Sequence, residues 1–184
     1  MRPDEEYISG VQRGDESLFA ELVRTRLDGL LRFAYGFTGV EDAAHDIVNE
    51  VFVRVWQLGS EWQPRFGATA YLITAVRYHA LNWVKSNSKR LKLYQQYHDS
   101  VGTIAQDVSH DVDPTLVACV QREAAKLTER QQLAIRLRYE QDLSMPEVAR
   151  VLGIGVRPTE KLIARALTTL RAKLRRVQHE LNDL

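Results

Sequence analysis

Ser144–Leu167 reads SMPEVARVLGIGVRPTEKLIARAL, and this stretch decides the architecture of the second half of the chain. Ser144 with Glu147 three residues on is a capping box, in which a hydroxyl and a carboxylate satisfy backbone N–H groups that an opening helix leaves unpaired. Val148, Ala149 and Leu152 then fall on one face, Ala149 being small enough for a helix crossing. Gly153 supplies the positive φ that ends the helix. Gly155 caps a second helix starting near Val156, where Pro158 is tolerated because first-turn N–H groups lack intrahelical acceptors. That helix carries an apolar stripe of Leu162, Ile163, Ala166, Leu167, Leu170 and Leu174, with Lys161, Arg165 and Lys173 elsewhere on its circumference. A short helix, a glycine-containing turn and a basic amphipathic helix form a helix-turn-helix, whose second helix enters the major groove of DNA. A hairpin of helices without DNA contact would explain the apolar stripe but not the basic face.

Working outward, Thr128-Glu-Arg-Gln131 is another capping box, and Leu116, Val117, Val120 and Leu127 before it keep a helical period. Residues 86–114 show weak periodicity, many polar side chains and Gly102, and read as a linker with a frayed helical extension at its start. Upstream lie three helical stripes. Leu18, Phe19, Leu22, Val23, Leu27, Leu30, Leu31 and Ala34 make the first, broken by Gly36 and Gly39. Ile47, Val48, Val51, Phe52, Val55 and Trp56 make the second, after the acidic opening Glu41, Asp42. Tyr71, Leu72, Ala75, Val76, His79, Ala80 and Trp83 make the third, after a loop marked by Pro64 and Gly67. No segment alternates with period two. The expected fold is all-α: a helical domain over residues 1–92, an acidic linker over 93–113 and a helix-turn-helix domain over 114–184.

The 184 residues are 45% apolar, enough for two small cores. The single cysteine, Cys119, excludes an intrachain disulfide and sits beside Val120 as a small apolar residue would. No apolar run approaches about 18 residues, so membrane insertion is not expected and a cytoplasmic location is. His45, His79, His98, His110 and His179 lack metal-ligand spacing, and no phosphate-cradling glycine loop or nucleophile elbow occurs. Neither catalysis, nor a cofactor, nor a metal is expected. The net charge of +1 hides a segregation that matters more. From Arg65 to Lys92 the chain carries only bases, from Leu93 to Ala118 only acids, and from Arg150 to Arg176 bases against a lone Glu160. Two basic lobes joined by an acidic tether suit a nucleic-acid partner.

Both halves resemble the extracytoplasmic-function (group IV, sigma-70 type) sigma factors of RNA polymerase. Leu127-Thr-Glu-Arg-Gln-Gln, Leu-Arg-Tyr139, Glu147-Val-Ala and Arg165-Ala-Leu look like sigma region 4. Asp46-Ile-Val-Asn-Glu-Val-Phe-Val-Arg-Val-Trp56 looks like the polymerase-binding helix of region 2, and Ala70-Tyr-Leu with Arg77-Tyr-His-Ala-Leu-Asn82 like the helix that melts and reads the minus-10 element. The resemblance implies an alternative sigma factor that binds core RNA polymerase through its clamp and flap regions, recognises and melts promoter DNA, and is controlled by an anti-sigma factor or another regulator. Glu41, Asp42, Asp46, Glu50 and Arg54 would then bind polymerase. Arg77, Tyr78, Asn82, Lys85, Lys89 and Arg90 would bind the minus-10 element, and Arg150, Arg157, Thr159, Glu160, Lys161 and Arg165 the minus-35 element. A helix-turn-helix regulator with an N-terminal dimerisation or sensor module is the alternative; such a protein would have no reason to carry Asp46–Trp56 together with Arg77–Asn82.

Several residues keep two readings. Glu41 and Asp42 also complement a helix dipole without any partner. Tyr71 and Trp83 fall on the apolar stripe and read as core, whereas Tyr78 and Asn82 fall off it and suit base capture. The linker acids Asp107, Asp111 and Asp113 are either a solvated tether or, by the resemblance, mimics of nucleic acid inside polymerase channels. The family often has acids where this chain has Ala43 and His45. A phosphate on nearby Thr38 would restore negative charge. Glu160 stands where the family often has Lys, and either accepts a hydrogen bond from a cytosine amino group or caps the dipole and pairs with a neighbouring Arg.

Overall fold

The computed structural model describes residues 3–95, 120 and 122–182, with side chains for 3–87, 120 and 122–172. Among the described residues all regular structure is helical, and the chain divides into two compact units, Met1–Ser100 and Val101–Leu184. Leu116, Val117, Cys119 and the linker acids Asp99, Asp107, Asp111 and Asp113 lie outside the described residues, as do the side chains of Lys89, Arg90, Lys173 and Leu174.

The first unit contains α1 (Asp4–Gln12), α2 (Glu16–Thr38), α3 (Glu41–Leu58) and α4 (Gly67–Gln95), with a single 3-10 turn at Gly59–Glu61. Asp15 opens α2 by accepting the Leu18 N–H at 3.0 Å. Gly39 at φ 63 closes it, its N–H returning to the Tyr35 carbonyl. Gly36 does not break the helix; it lies exposed within α2, because a glycine interrupts a helix only where the chain adopts the conformation that ends it. α4 is likewise longer than the apolar stripe implied. It runs unbroken to Gln95, since Lys89–Leu93 offers good helix formers and no Gly or Pro interrupts residues 85–95. The core gathers Leu22, Leu30, Phe33, Ile47, Val48, Val51, Val55, Leu72, Ile73 and Val76, all buried.

α1 has no counterpart in the sequence reading, and it holds the unit together. Tyr7 and Val11 are buried, and Leu18 packs so close to Gly10 that a Cβ there would sit 2.7 Å from it. The Asp4 carboxylate accepts from the Thr69 N–H at 2.8 Å, the Thr69 hydroxyl at 3.0 Å and the Arg26 guanidinium at 3.2 Å. Asp4 thus caps α4 from another helix while tying in α2. Gly67 must be glycine here: its φ is 82, and a Cβ would lie 2.6 Å from the Asp4 carboxylate.

The second unit has α5 (Glu129–Ile135), a turn of π-helix over Arg136–Glu140, α6 (Met145–Leu152) and α7 (Val156–Asn182). Both capping boxes form, Thr128 with Gln131 and Ser144 with Glu147. Gly153 ends α6 at φ 66, and Gly155 accepts the first hydrogen bond of α7, from Thr159 N–H at 3.1 Å. Leu137, Leu143, Val148, Ala149, Leu152, Ile163 and Ala166 make the core.

Asp4→Ala should lower the stability of the first unit by about 2–3 kcal/mol, because it removes a cap and strands the mostly buried Arg26. Asp4→Asn, which keeps an acceptor for the Thr69 N–H, should cost less. Thermal unfolding checks both.

Candidate nucleic-acid interface

α3 turns its acids outward because its apolar positions, Ala43, Ala44, Ile47, Val48, Val51, Phe52 and Val55, are all buried. Glu41, Asp42, Asp46, Glu50 and Arg54 are exposed together with His45. Two neighbours of this face escaped the sequence reading. His79 on α4 places Nδ1 3.4 Å from Glu50, joining the edges of α3 and α4. Val53 is 55% exposed, three residues after Glu50. Its place off the apolar spacing was a signal available in the sequence.

α4 buries Leu72, Ile73, Val76 and Ala80, and the opposite face carries Thr74, Tyr78, Asn82 and Lys85, all exposed. With 3.6 residues per turn, Tyr78, Asn82 and Lys85 lie within an arc of about 60°. Tyr78 is 64% exposed and meets the His79 ring edge-on at 5.6 Å. Tyr71 is half-buried against the buried Trp62, with ring centroids 5.8 Å apart, and Trp83 is half-buried, as their place on the stripe implied. Arg77 lies toward the flank, half-buried, its Nε buried without a partner among the described residues. The structure therefore brings Tyr78, Asn82 and Lys85 onto one surface and leaves Arg77 beside it.

On the second unit Arg150, Arg157, Glu160, Lys161 and Arg165 are exposed. Thr159 is not available to DNA. It is fully buried, and its hydroxyl donates to the Gly155 carbonyl at 3.0 Å, because α7 packs this side of its first turn against the unit. Thr38 fails in the same way as a phosphate acceptor. It is 1% exposed, its hydroxyl lies 3.3 and 3.1 Å from the Ala34 and Val40 carbonyls, and it accepts from the Val40 N–H. The residue finishes α2 rather than offering a surface hydroxyl.

Sequence comparison places the same two segments in known families. The family described as Sigma-70 region 2 matches residues 22–90, and that described as Sigma-70, region 4 matches residues 118–170. The chain belongs to the extracytoplasmic-function sigma factors of the sigma-70 type. It is 26% identical over 181 residues to the ECF RNA polymerase sigma factor SigW of Bacillus subtilis, covering 91% of this chain and 95% of that one. It is 28% identical over 169 residues to BldN of Streptomyces coelicolor, covering 90% of this chain but 63% of BldN's length. Two solved structures share the fold. CnrH in complex with the cytosolic domain of CnrY has a TM-score of 0.62 at 24% identity, covering 93% of this chain and 96% of that one. The sigma factor RpoE in complex with the anti-sigma factor NepR from Bartonella quintana has a TM-score of 0.63 at 19% identity, covering 85% and 96%. As an alternative sigma factor, the protein serves promoter recognition and transcription initiation by RNA polymerase, which sets aside the regulator reading. Among the described residues no helix is long and apolar enough to cross a membrane, and no group of three or more His, Cys, Asp or Glu is placed to hold a metal ion.

Thr38→Glu, a mimic of phosphorylation, should destabilise the first unit by about 2–4 kcal/mol rather than restore an acidic surface, because it drives a carboxylate into a buried site. The midpoint of thermal unfolding reads this directly.

Proposed function

We propose that the first unit docks on core polymerase through α3 and opens the minus-10 element along α4, while α7 of the second unit anchors the minus-35 element. The observation that carries this is the outward row Tyr78, Asn82, Lys85, an exposed aromatic ring, an amide and a cation on one helical face. A flipped base needs a stacking surface and hydrogen-bonding groups, and the displaced backbone needs cations; this row supplies all three. Lys89 and Arg90 follow on the same helix and extend the basic run. Glu41, Asp42, Asp46, Glu50 and Arg54 form the polymerase-facing surface, with the clamp and flap regions as the contact points. Arg150, Arg157, Lys161 and Arg165 bind around the minus-35 element.

In this reading the domain over residues 1–92 is joined to the domain over 114–184 by an acidic tether, 93–113. The protein works in the cytoplasm, acts by binding alone and performs no chemistry. An anti-sigma factor is the proposed regulator; the solved RpoE structure with the anti-sigma factor NepR bound supports that class of partner. Phosphorylation at Thr38 is not, given its burial.

Replacing both Asp46 and Glu50 with Lys reverses the potential of two neighbours one helical turn apart, and affinity for core polymerase should fall at least tenfold, to be read by competition against the native chain. Unchanged affinity in a folded variant removes α3 from the polymerase contact. Tyr78→Ala should leave thermal stability within about 0.5 kcal/mol, since the ring is mostly exposed, yet lose roughly 1–3 kcal/mol in opening duplex promoters. A premelted promoter should recover part of the loss. Equal defects on both templates would show that Tyr78 holds no flipped base.

A further inference from the structure

The outward face of α7 is not uniformly basic. Thr159, Ile163, Ala166 and Leu170 are buried and define its inward side. With 3.6 residues per turn, the line directly opposite runs close to Arg157, Lys161 and Thr168, with Ala164 about 50° to one side of it and Arg165 about 50° to the other, all exposed. Glu160 falls about 90° from that line, on the flank away from Arg165 and one turn before Ala164. The Thr168 hydroxyl donates to the Ala164 carbonyl at 2.8 Å. Its hydrogen is thereby spent on its own helix, and Thr168 is left with its methyl group and an oxygen that can only accept. Beyond Lys161, the outward face of an exposed cationic helix therefore offers two small apolar groups one turn apart, the methyl of Thr168 at its centre and Ala164 beside it. A face meant only for solvent or for phosphate would be expected to carry long polar side chains there.

We propose that Ala164 and Thr168 form an apolar strip that reads thymine 5-methyl groups in the minus-35 element, with Glu160 excluded from base readout. The inference rests on α7 being the minus-35 helix. In the major groove the 5-methyl is the feature that marks thymine, and alanine or a threonine methyl is its apolar counterpart. The small side chains let the helix axis come close to the base edges, while Arg157 and Lys161, nearer the helix start, supply donors to guanine or phosphate. On the flank, the Glu160 carboxylate faces the phosphate strand and opposes binding whatever the base sequence. Among the described residues no hydrogen bond or ion pair engages Glu160, so the pairing with a neighbouring Arg is not made.

The test uses the full chain with core polymerase on minus-35 duplexes in which each thymine is replaced in turn by deoxyuridine, at fixed salt. One or two positions should lose about threefold to tenfold in affinity on losing the methyl. Thr168→Ser deletes one protein methyl and keeps the back-bonded hydroxyl; Ala164→Gly deletes the other. Each should abolish the methyl effect at one position. Lys161→Ala should weaken every duplex and leave the methyl effect intact, and Glu160→Gln should strengthen every duplex without changing base preference. If no deoxyuridine matters, or if the methyl effect persists in both variants, the apolar strip is wrong while α7 remains the DNA helix. A change of preference at a single C·G pair in Glu160→Gln would return that residue to base readout and overturn its exclusion. Should Arg157→Ala, Lys161→Ala and Arg165→Ala all leave minus-35 affinity unchanged, the assignment of α7 itself falls. Ala164→Gly weakens helix propensity, so its helicity is checked by circular dichroism and Thr168→Ser decides any ambiguity.

Discussion

A helix that presents functional groups over several turns must first have its own N-terminal N–H groups satisfied, and Phe66, directly before α4, has no side-chain acceptor to do it. Asp4 does this from the opposite end of the unit. Because the same carboxylate also holds Thr69 through its hydroxyl and Arg26 through its guanidinium, the starts of α1 and α4 and the middle of α2 share one anchor. The row Tyr78, Asn82, Lys85 can then project outward on a helix whose buried face packs in the core and whose first turn is held by a carboxylate from another helix. Gly67 is the complement of this arrangement: only a residue without Cβ leaves room for the carboxylate.

The second unit solves the corresponding problem locally. Ser144 and Glu147 cap α6 within its own sequence, Gly153 ends it, and Gly155 opens α7, so the angle between the two helices is written into four neighbouring positions. The π turn over Arg136–Glu140 feeds this motif. The Gln141 N–H reaches back to the Arg136 carbonyl, and Asp142 takes a positive φ of 51 so that the chain can turn toward Ser144. Arg138 stabilises that turn by donating to the Leu143 carbonyl at 3.0 Å. A kink built from a widened helical turn and a left-handed residue leaves no compositional trace, which is why it could not be read from spacing.

What was legible in the residues and what was not follows the range of the interactions. Capping boxes, terminating glycines and apolar stripes are local, and these named α2, α3, α5, α6 and α7 correctly. The helix-turn-helix needed nothing more. α1 was illegible because its role depends on a contact between residues 65 apart in the chain, Asp4 with Thr69. The Glu50–His79 pair was hidden for the same reason. Thr38 and Thr159 misled because a hydroxyl in a charged neighbourhood reads as surface chemistry, whereas both are buried and bonded to the carbonyl four residues before. Ala164 and Thr168 passed unnoticed because small residues beside arginines carry no signal until burial on the other side of the helix fixes which way they face.

That last point bears on how a chain of net charge +1 binds a polyanion at all. Affinity from phosphate contacts is sequence-independent and grows with every exposed cation, so a recognition helix made only of bases would bind much and discriminate little. α7 instead interrupts its cations with two small side chains on its outward face, Ala164 and the methyl-bearing Thr168, and one acid on the flank. The apolar pair trades electrostatic attraction for contact with base edges, and the acid lowers attraction to any duplex, correct or not. Discrimination rises as the common, sequence-blind part of the binding energy falls. A factor that must find its promoters among a great excess of other DNA is served better by that ratio than by tight binding alone.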